Sequence, residues 1–239
     1  MDIQQIVEGV YVVPLGGVNA FLLESKDGMV LIDTGSRGND EDILSALSEL
    51  EKQPDDIHHI LVTHWHPDHM GGLAVLKRAT DAQSYAHPID APIIRKGGDF
   101  DLESNKPRAF APAPGMEAPF SQFITGVVNV EGAVIDNEIN EGDRLPFLPE
   151  LKVIFAPGHS AGQVVFLLES HGGVLFAADS CANFYGLNWS LGYENLEEGK
   201  RSLKKLCNYD FQLATFGHGD AILKDAVTSW RNKWSGLQD

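Results

Sequence analysis

Residues 63–72 read Thr-His-Trp-His-Pro-Asp-His-Met-Gly-Gly and place His64, His66, Asp68 and His69 inside six positions. Ligand-type residues at this density constrain the fold, because something rigid must hold them on both sides. The apolar run Ile60-Leu61-Val62 precedes them and reads as a buried strand. After Gly71-Gly72, the run Leu73-Ala74-Val75-Leu76 reads as a helix. Strand, ligand-rich turn and helix make a platform for a metal site. Imidazole and carboxylate are donors that zinc, iron and manganese accept.

The spacing has a geometric consequence. In an extended segment, residues two apart point to the same face, so His64 and His66 can converge on one ion. Asp68 and His69 follow a turn that Pro67 helps to set through its fixed φ. They are poorly placed to join the ion of the first pair. The spacing therefore predicts two adjacent ions, each needing further ligands from elsewhere in the chain.

Three other positions offer them. His159, in Ala156-Pro157-Gly158-His159-Ser160, follows the strand-like Val153-Ile154-Phe155. Asp179 ends Val174-Leu175-Phe176-Ala177-Ala178, and His218, in Phe216-Gly217-His218-Gly219-Asp220, follows Leu213-Ala214-Thr215. Each is a single donor at the end of an apolar run.

Thr-His-x-His-x-Asp-His-x-Gly-Gly, then Pro-Gly-His-Ser, Ala-Asp-Ser and Gly-His-Gly, in this order, resembles the metallo-β-lactamase superfamily. Val30-Leu31-Ile32-Asp33-Thr34-Gly35 resembles the strand and turn that precede its metal loop. The resemblance spans roughly residues 10–225. It implies an α/β fold, the four-layer αβ/βα sandwich, with metals at one edge between the sheets. It also implies a dinuclear site in which His64, His66 and His159 hold one ion and Asp68, His69 and His218 hold the other. Asp179 would bridge them, and Asp33 would orient the loop by hydrogen bonding. The expected cofactors are two divalent ions, zinc first, with iron or manganese as substitutes.

At 239 residues, 43% of them hydrophobic, the chain suits one large domain or two small ones. We read residues 1–239 as a single metallo-β-lactamase-like domain. The formal net charge of −16 argues against a nucleic-acid partner, which wants a basic footprint. No apolar run approaches the ~20 residues needed to span a membrane, and Met1-Asp2-Ile3-Gln4-Gln5 lacks the features of a secretory signal. Two cysteines, Cys181 and Cys207, are too few for a disulfide framework, so a reducing cytoplasm is the simpler setting. The expected partners are a small-molecule substrate and, optionally, a second copy of the chain in a homodimer.

The patterning predicts antiparallel strands over 3–35, a helix over 39–52, a strand over 57–63 and a helix over roughly 70–79. It predicts three strands within 147–180, and helices over 196–207 and 221–234 on either side of the His218 strand. Residues 97–125 break the pattern. Pro107, Pro112, Pro114 and Pro119 punctuate them, with Phe100, Phe110, Met116, Phe120 and Phe123 interspersed. A plain linker seldom carries so many apolar groups, and we read the segment as a substrate lid suited to an apolar acyl or ring group. Trp65, between two ligands, points away from them and either packs or walls the pocket. His58, His59, His87 and His171 fit no ligand pattern and read as surface or structural. Tyr185 reads either as a donor to an oxyanion or as a hydrogen-bonded core tyrosine.

Two close ions would lower the pKa of a bridging water and polarise a carbonyl, with Asp68 orienting the nucleophile. The expected function is hydrolysis of a lactone, ester or thioester. Within the resemblance, the persulfide dioxygenases share His64, His66, His159 and Asp179 but use a single iron. Nuclease relatives carry an extra domain or RNA arm that is not evident here. A glutathione thioester is disfavoured, because only about twenty residues follow His218 and no Lys-x-Tyr pair follows Asp179. The zinc β-lactamases are usually exported, and those with cysteine at position 179 are excluded.

Overall fold

Four strands open the chain: β1 (Gln4–Val7), β2 (Val10–Pro14), β3 (Asn19–Ser25) and β4 (Gly28–Ile32). They pair in sequence order as an antiparallel meander. The computed structural model describes residues 3–101 and 108–238, so residues 102–107 of the expected lid, Pro107 among them, lie outside the described residues. The chain divides into two compact units. The first holds Met1–Gly98, Asn129–Ile139 and Pro146–Pro149; the second holds Asp99–Val128, Asn140–Leu145 and Glu150–Asp239.

In the first unit the meander gives way to parallel pairing. Helix α1 (Asp40–Glu49) buries Ile43, Ala46 and Leu47 and supplies the crossover that parallel neighbours require. Strand β5 (Ile57–Leu61) then lies parallel to β4, with Ile32 opposite Leu61. The expected strand over 57–63 thus ends at Leu61. Beyond it the chain forms a one-turn helix, α2 (Pro67–Met70), and then α3 (Leu73–Thr80). Pro67 is first in α2, where its missing N–H costs nothing. Strand β6 (Gln83–Ala86) follows parallel to β5, and α4 spans Ala91–Lys96.

Residues 97–125 carry structure of their own. They contain β7 (Gly98–Asp101), β8 (Ala111–Pro112) and α5 (Glu117–Phe123), after which comes β9 (Val127–Val130). Strand β10 (Asn137–Glu138) adds to β6 and completes a sheet of order β1-β2-β3-β4-β5-β6-β10.

The second unit is built on β11 (Arg144–Leu145), β12 (Leu148–Phe155), β13 (Val164–Leu168) and β14 (Val174–Phe176). Residues 169–173 form the turn that joins β13 to β14. After β15 (Gly192–Tyr193) and α6 (Leu196–Leu206), strand β16 (Leu213–Thr215) returns parallel to β14. The sheet order is β11-β12-β13-β14-β16. All five residues of β13 are buried, so it reads as a continuous apolar run. Helix α7 (Ala226–Trp234) starts five residues later than the sequence suggested. Its Trp230 and Trp234 are buried in a core with Leu203, Leu206, Phe211 and Phe216. Fully burying such a side chain contributes roughly 1.5–3 kcal/mol, and the Trp230 indole also donates to the Leu203 carbonyl at 3.1 Å. Among the described residues, no helix is long and apolar enough to cross a membrane.

Candidate metal centre

In the first unit the parallel register of β4 and β5 brings two strand ends side by side. Asp33 follows β4, and its N–H donates to the Leu61 carbonyl at 2.8 Å. Asp33 therefore sits beside Thr63. Its Oδ1 accepts from the Thr63 N–H, and its Oδ2 accepts from the Thr63 hydroxyl, both at 2.8 Å. Oδ2 also lies 2.8 Å from His69 Nδ1. Asp33, Thr63, His64 and His69 are all buried.

These contacts fix the tautomers. The Asp33 carboxylate accepts, so His69 donates from Nδ1 and presents the lone pair of Nε2. The Thr63 hydroxyl spends its proton on Asp33, so its oxygen accepts from His64 Nδ1 at 2.9 Å. His64 then also presents Nε2. That atom lies 3.1 Å from His66 Nδ1. A tetrahedron of nitrogens held ~2.0 Å from a zinc ion has an edge of about 3.3 Å, so the pair fits a shared ion. Asp68 Oδ2 lies 3.9 Å from His69 Nε2, and the Asp68 side chain is 40% exposed.

The two pairs of the loop lie close together. One turn of α2 curls the chain back and sets the His69 ring 4.1 Å from that of His64. The turn after Asp33 clamps this geometry. Thr34 donates from its N–H and its hydroxyl to the His69 carbonyl, at 2.7 and 2.9 Å. Gly71 must be glycine, because a Cβ there would stand 2.4 Å from the Arg37 nitrogen. Trp65 is buried as expected, with its ring edge-on to His66 at 4.5 Å.

The second unit repeats the device. Parallel β14 and β16 end together, the Ala177 N–H donating to the Thr215 carbonyl at 2.8 Å and the Gly217 N–H to the Ala178 carbonyl at 2.9 Å. Asp179 and His218, three residues beyond those ends, meet with His218 Nε2 3.1 Å from Asp179 Oδ2. His159, on the loop between β12 and β13, has Nε2 3.4 Å from the same oxygen. Its Nδ1 donates to the Gly192 carbonyl at 2.9 Å. Ala178 holds φ 47° and Asp33 holds φ 60°. Non-glycine residues seldom occupy that region, and each costs about 1–3 kcal/mol, so both aspartates sit at strained bends.

Cys181 is fully buried in the core, and burial pushes its thiol well up, which suits a small hydrophobe. His59 is structural: its ring stacks on Phe147 at 3.5 Å, and its Nδ1 lies 3.1 Å from the Tyr85 hydroxyl. His87 is buried, and burial lowers its pKa. Tyr185 is fully exposed and so is not a core tyrosine. Thr63 and the Gly192 carbonyl are the positioning groups that sequence reasoning missed. Thr63 stands inside the histidine motif; a backbone carbonyl leaves no mark in a sequence.

Residues 13–213 match the model of the metallo-beta-lactamase superfamily. The chain belongs to this superfamily. It is 30% identical over 210 residues to a thioesterase of Emericella nidulans, covering 87% of this chain and 48% of that one. It is 28% identical to an atrochrysone carboxyl ACP thioesterase of Aspergillus fumigatus, covering 87% and 52%. The chain thus spans about half the length of these superfamily relatives. An uncharacterized protein of Aquifex aeolicus is 30% identical, covering 82% and 81%. A metallo-β-lactamase of Cronobacter sakazakii superposes with a TM-score of 0.70 at 23% identity, covering 91% of this chain and 80% of that one. A subclass B3 metallo-β-lactamase of Bradyrhizobium japonicum gives 0.68 at 21%, covering 100% and 83%. The fold is the metallo-β-lactamase fold expected from the sequence, and the histidine–aspartate set fits the divalent ions that this superfamily binds.

Proposed function

We propose that this chain is a two-ion hydrolase of a small-molecule lactone, ester or thioester. His64, His66 and His159 would hold one ion and Asp68, His69 and His218 the other, with Asp179 available to both. The observation that carries this reading is the grouping of donors. In the first unit His64 Nε2 lies 3.1 Å from His66 Nδ1 and Asp68 Oδ2 lies 3.9 Å from His69 Nε2, and in the second both His159 Nε2 and His218 Nε2 reach Asp179 Oδ2. Zinc suits a mixed imidazole and carboxylate set, and iron and manganese also accept it. The fungal relatives that bear the name thioesterase support acyl transfer to water over redox chemistry.

When bound, such ions supply a water ionised near neutral pH and a Lewis acid for the substrate carbonyl. The chain's own residues do the rest. Asp33, Thr63 and the Gly192 carbonyl fix the faces that His64, His69 and His159 present. Asp68, whose side chain is 40% exposed, orients the attacking water. Tyr185 is assigned no chemical step, because an oxyanion donor must be preorganised away from water and this phenol is fully exposed.

The test is a panel of lactones, thioesters, oxyesters, a β-lactam and a phosphodiester, assayed before and after chelation. Hydrolysis confined to the acyl substrates, lost with the metal and restored by zinc, is the expected result. Oxygen consumption on a persulfide by protein holding one iron would overturn the reading.

A further inference from the structure

Two phenylalanine rings lie against the donor imidazoles of the second unit. Phe110 stands edge-on to His159, with ring centroids 5.2 Å apart and planes at 89°. Phe184 stacks on His218 at 6.2 Å and 30°. Both histidines reach the same Asp179 oxygen, so each phenyl ring stands one imidazole away from it. Phe184 is 49% exposed, although a ring of that size is ordinarily buried.

The placement of Phe110 is built in. Strand β8 pairs with β15, Ala111 opposite Tyr193 and Pro112 opposite Gly192. Gly192 is also the residue whose carbonyl holds His159. A Cβ on Gly192 would stand 2.7 Å from the Phe120 ring and 2.8 Å from that of Phe110, so glycine here is the seat of both rings. Glu194 completes the link. Its Oε2 accepts from the Ala161 N–H at 2.8 Å and pairs with Arg108 at 3.5 Å. The backbone that aims a donor histidine therefore also aims the aromatic ring beside it.

We propose that Phe110 and Phe184 form an apolar acyl site, and that the substrate's acyl part is a large alkyl or aryl group. This rests on the hydrolase reading above. Apolar surface left exposed beside polar donors marks a ligand groove. An acyl chain that reaches the donors displaces water from both rings, whereas an acetyl group reaches neither.

The experiment compares zinc-loaded wild type, Phe110→Ala, Phe184→Ala and Phe110→Leu on acetyl, butanoyl, decanoyl and benzoyl esters of one phenol. Calorimetric titration with decanoate and acetate, and metal analysis, accompany each. Wild type should prefer the decanoyl and benzoyl esters by ~10-fold or more in kcat/KM. Each alanine variant should lose about 10-fold more on decanoyl than on acetyl ester, at unchanged metal content, and Phe110→Leu should recover part of that loss. Equal kcat/KM across the series, or equal losses on all esters, would overturn the proposal. If no ester is cleaved, the hydrolase reading fails; decanoate binding that is weakened in the alanine variants would still uphold the apolar site, and its absence would end it.

Discussion

His69 Nδ1 lies 2.8 Å from Asp33 Oδ2, with both side chains removed from water. Asp33 also takes both donors of Thr63, and Thr63 fixes His64. One buried carboxylate thus sets the ring orientation of two donor histidines. Asp33→Asn keeps the shape and tolerates φ 60°, but its amide nitrogen cannot accept. We expect zinc affinity to fall about 10–100-fold and stability to fall by about 1–3 kcal/mol. Competition with a chromophoric chelator and thermal melts check the two effects separately.

His66 is only half-buried and begins α2 without a side-chain cap. Its removal should therefore spare the fold and reach only the ion. His66→Ala is expected to lose at least ~10³-fold in turnover with an unchanged circular dichroism spectrum. Turnover within about 10-fold of wild type would place the chemistry elsewhere.

Ala178 adopts φ 47° immediately before Asp179. Glycine adopts that conformation without the Cβ penalty but has more freedom to lose on folding. The balance favours Ala178→Gly by about 1 kcal/mol or less, a rise of roughly 2 °C in Tm for a chain of this size. A lower Tm would show that the surroundings relieve the strain already.

Burial lowers the pKa of His59 from 6.5 to about 4, and His58 adds to the shift. The unfolded chain therefore binds the extra proton first. The stabilising effect of neutral His59 is fully present above pH 6.5 and is lost as pH falls toward 4. Stability should rise with pH across that window, and His59→Gln should flatten the rise. Denaturant midpoints at pH 4.5, 5.5 and 7 measure the slope; the same slope in both proteins would assign it to other groups.

The sequence made the site legible because each donor stands where an apolar run stops. Strand ends are where parallel pairing gathers side chains, as Ile32 opposite Leu61 and Phe176 opposite Thr215 show. Local folding of the loop was less legible. Pro67 pointed to a turn, but whether that turn closes into helix depends on residues about thirty-five positions away: Thr34 donates to the His69 carbonyl and the Gly35 carbonyl accepts from the Gly71 N–H. Helix α7 begins late because Ala214 and Ile222 bond to each other in both directions, pulling residue 222 into a bridge. The secondary structure within 97–125 was masked by its prolines; β8 exists because Gly192 and Tyr193 offer it a partner.

The proposed centre consists of two ions held by seven side chains. Metal analysis of the purified chain after zinc loading and gel filtration measures this most directly. Wild type should retain about two equivalents of zinc, and His218→Ala should retain about one. One equivalent in wild type, unchanged in His218→Ala, would contradict a dinuclear centre.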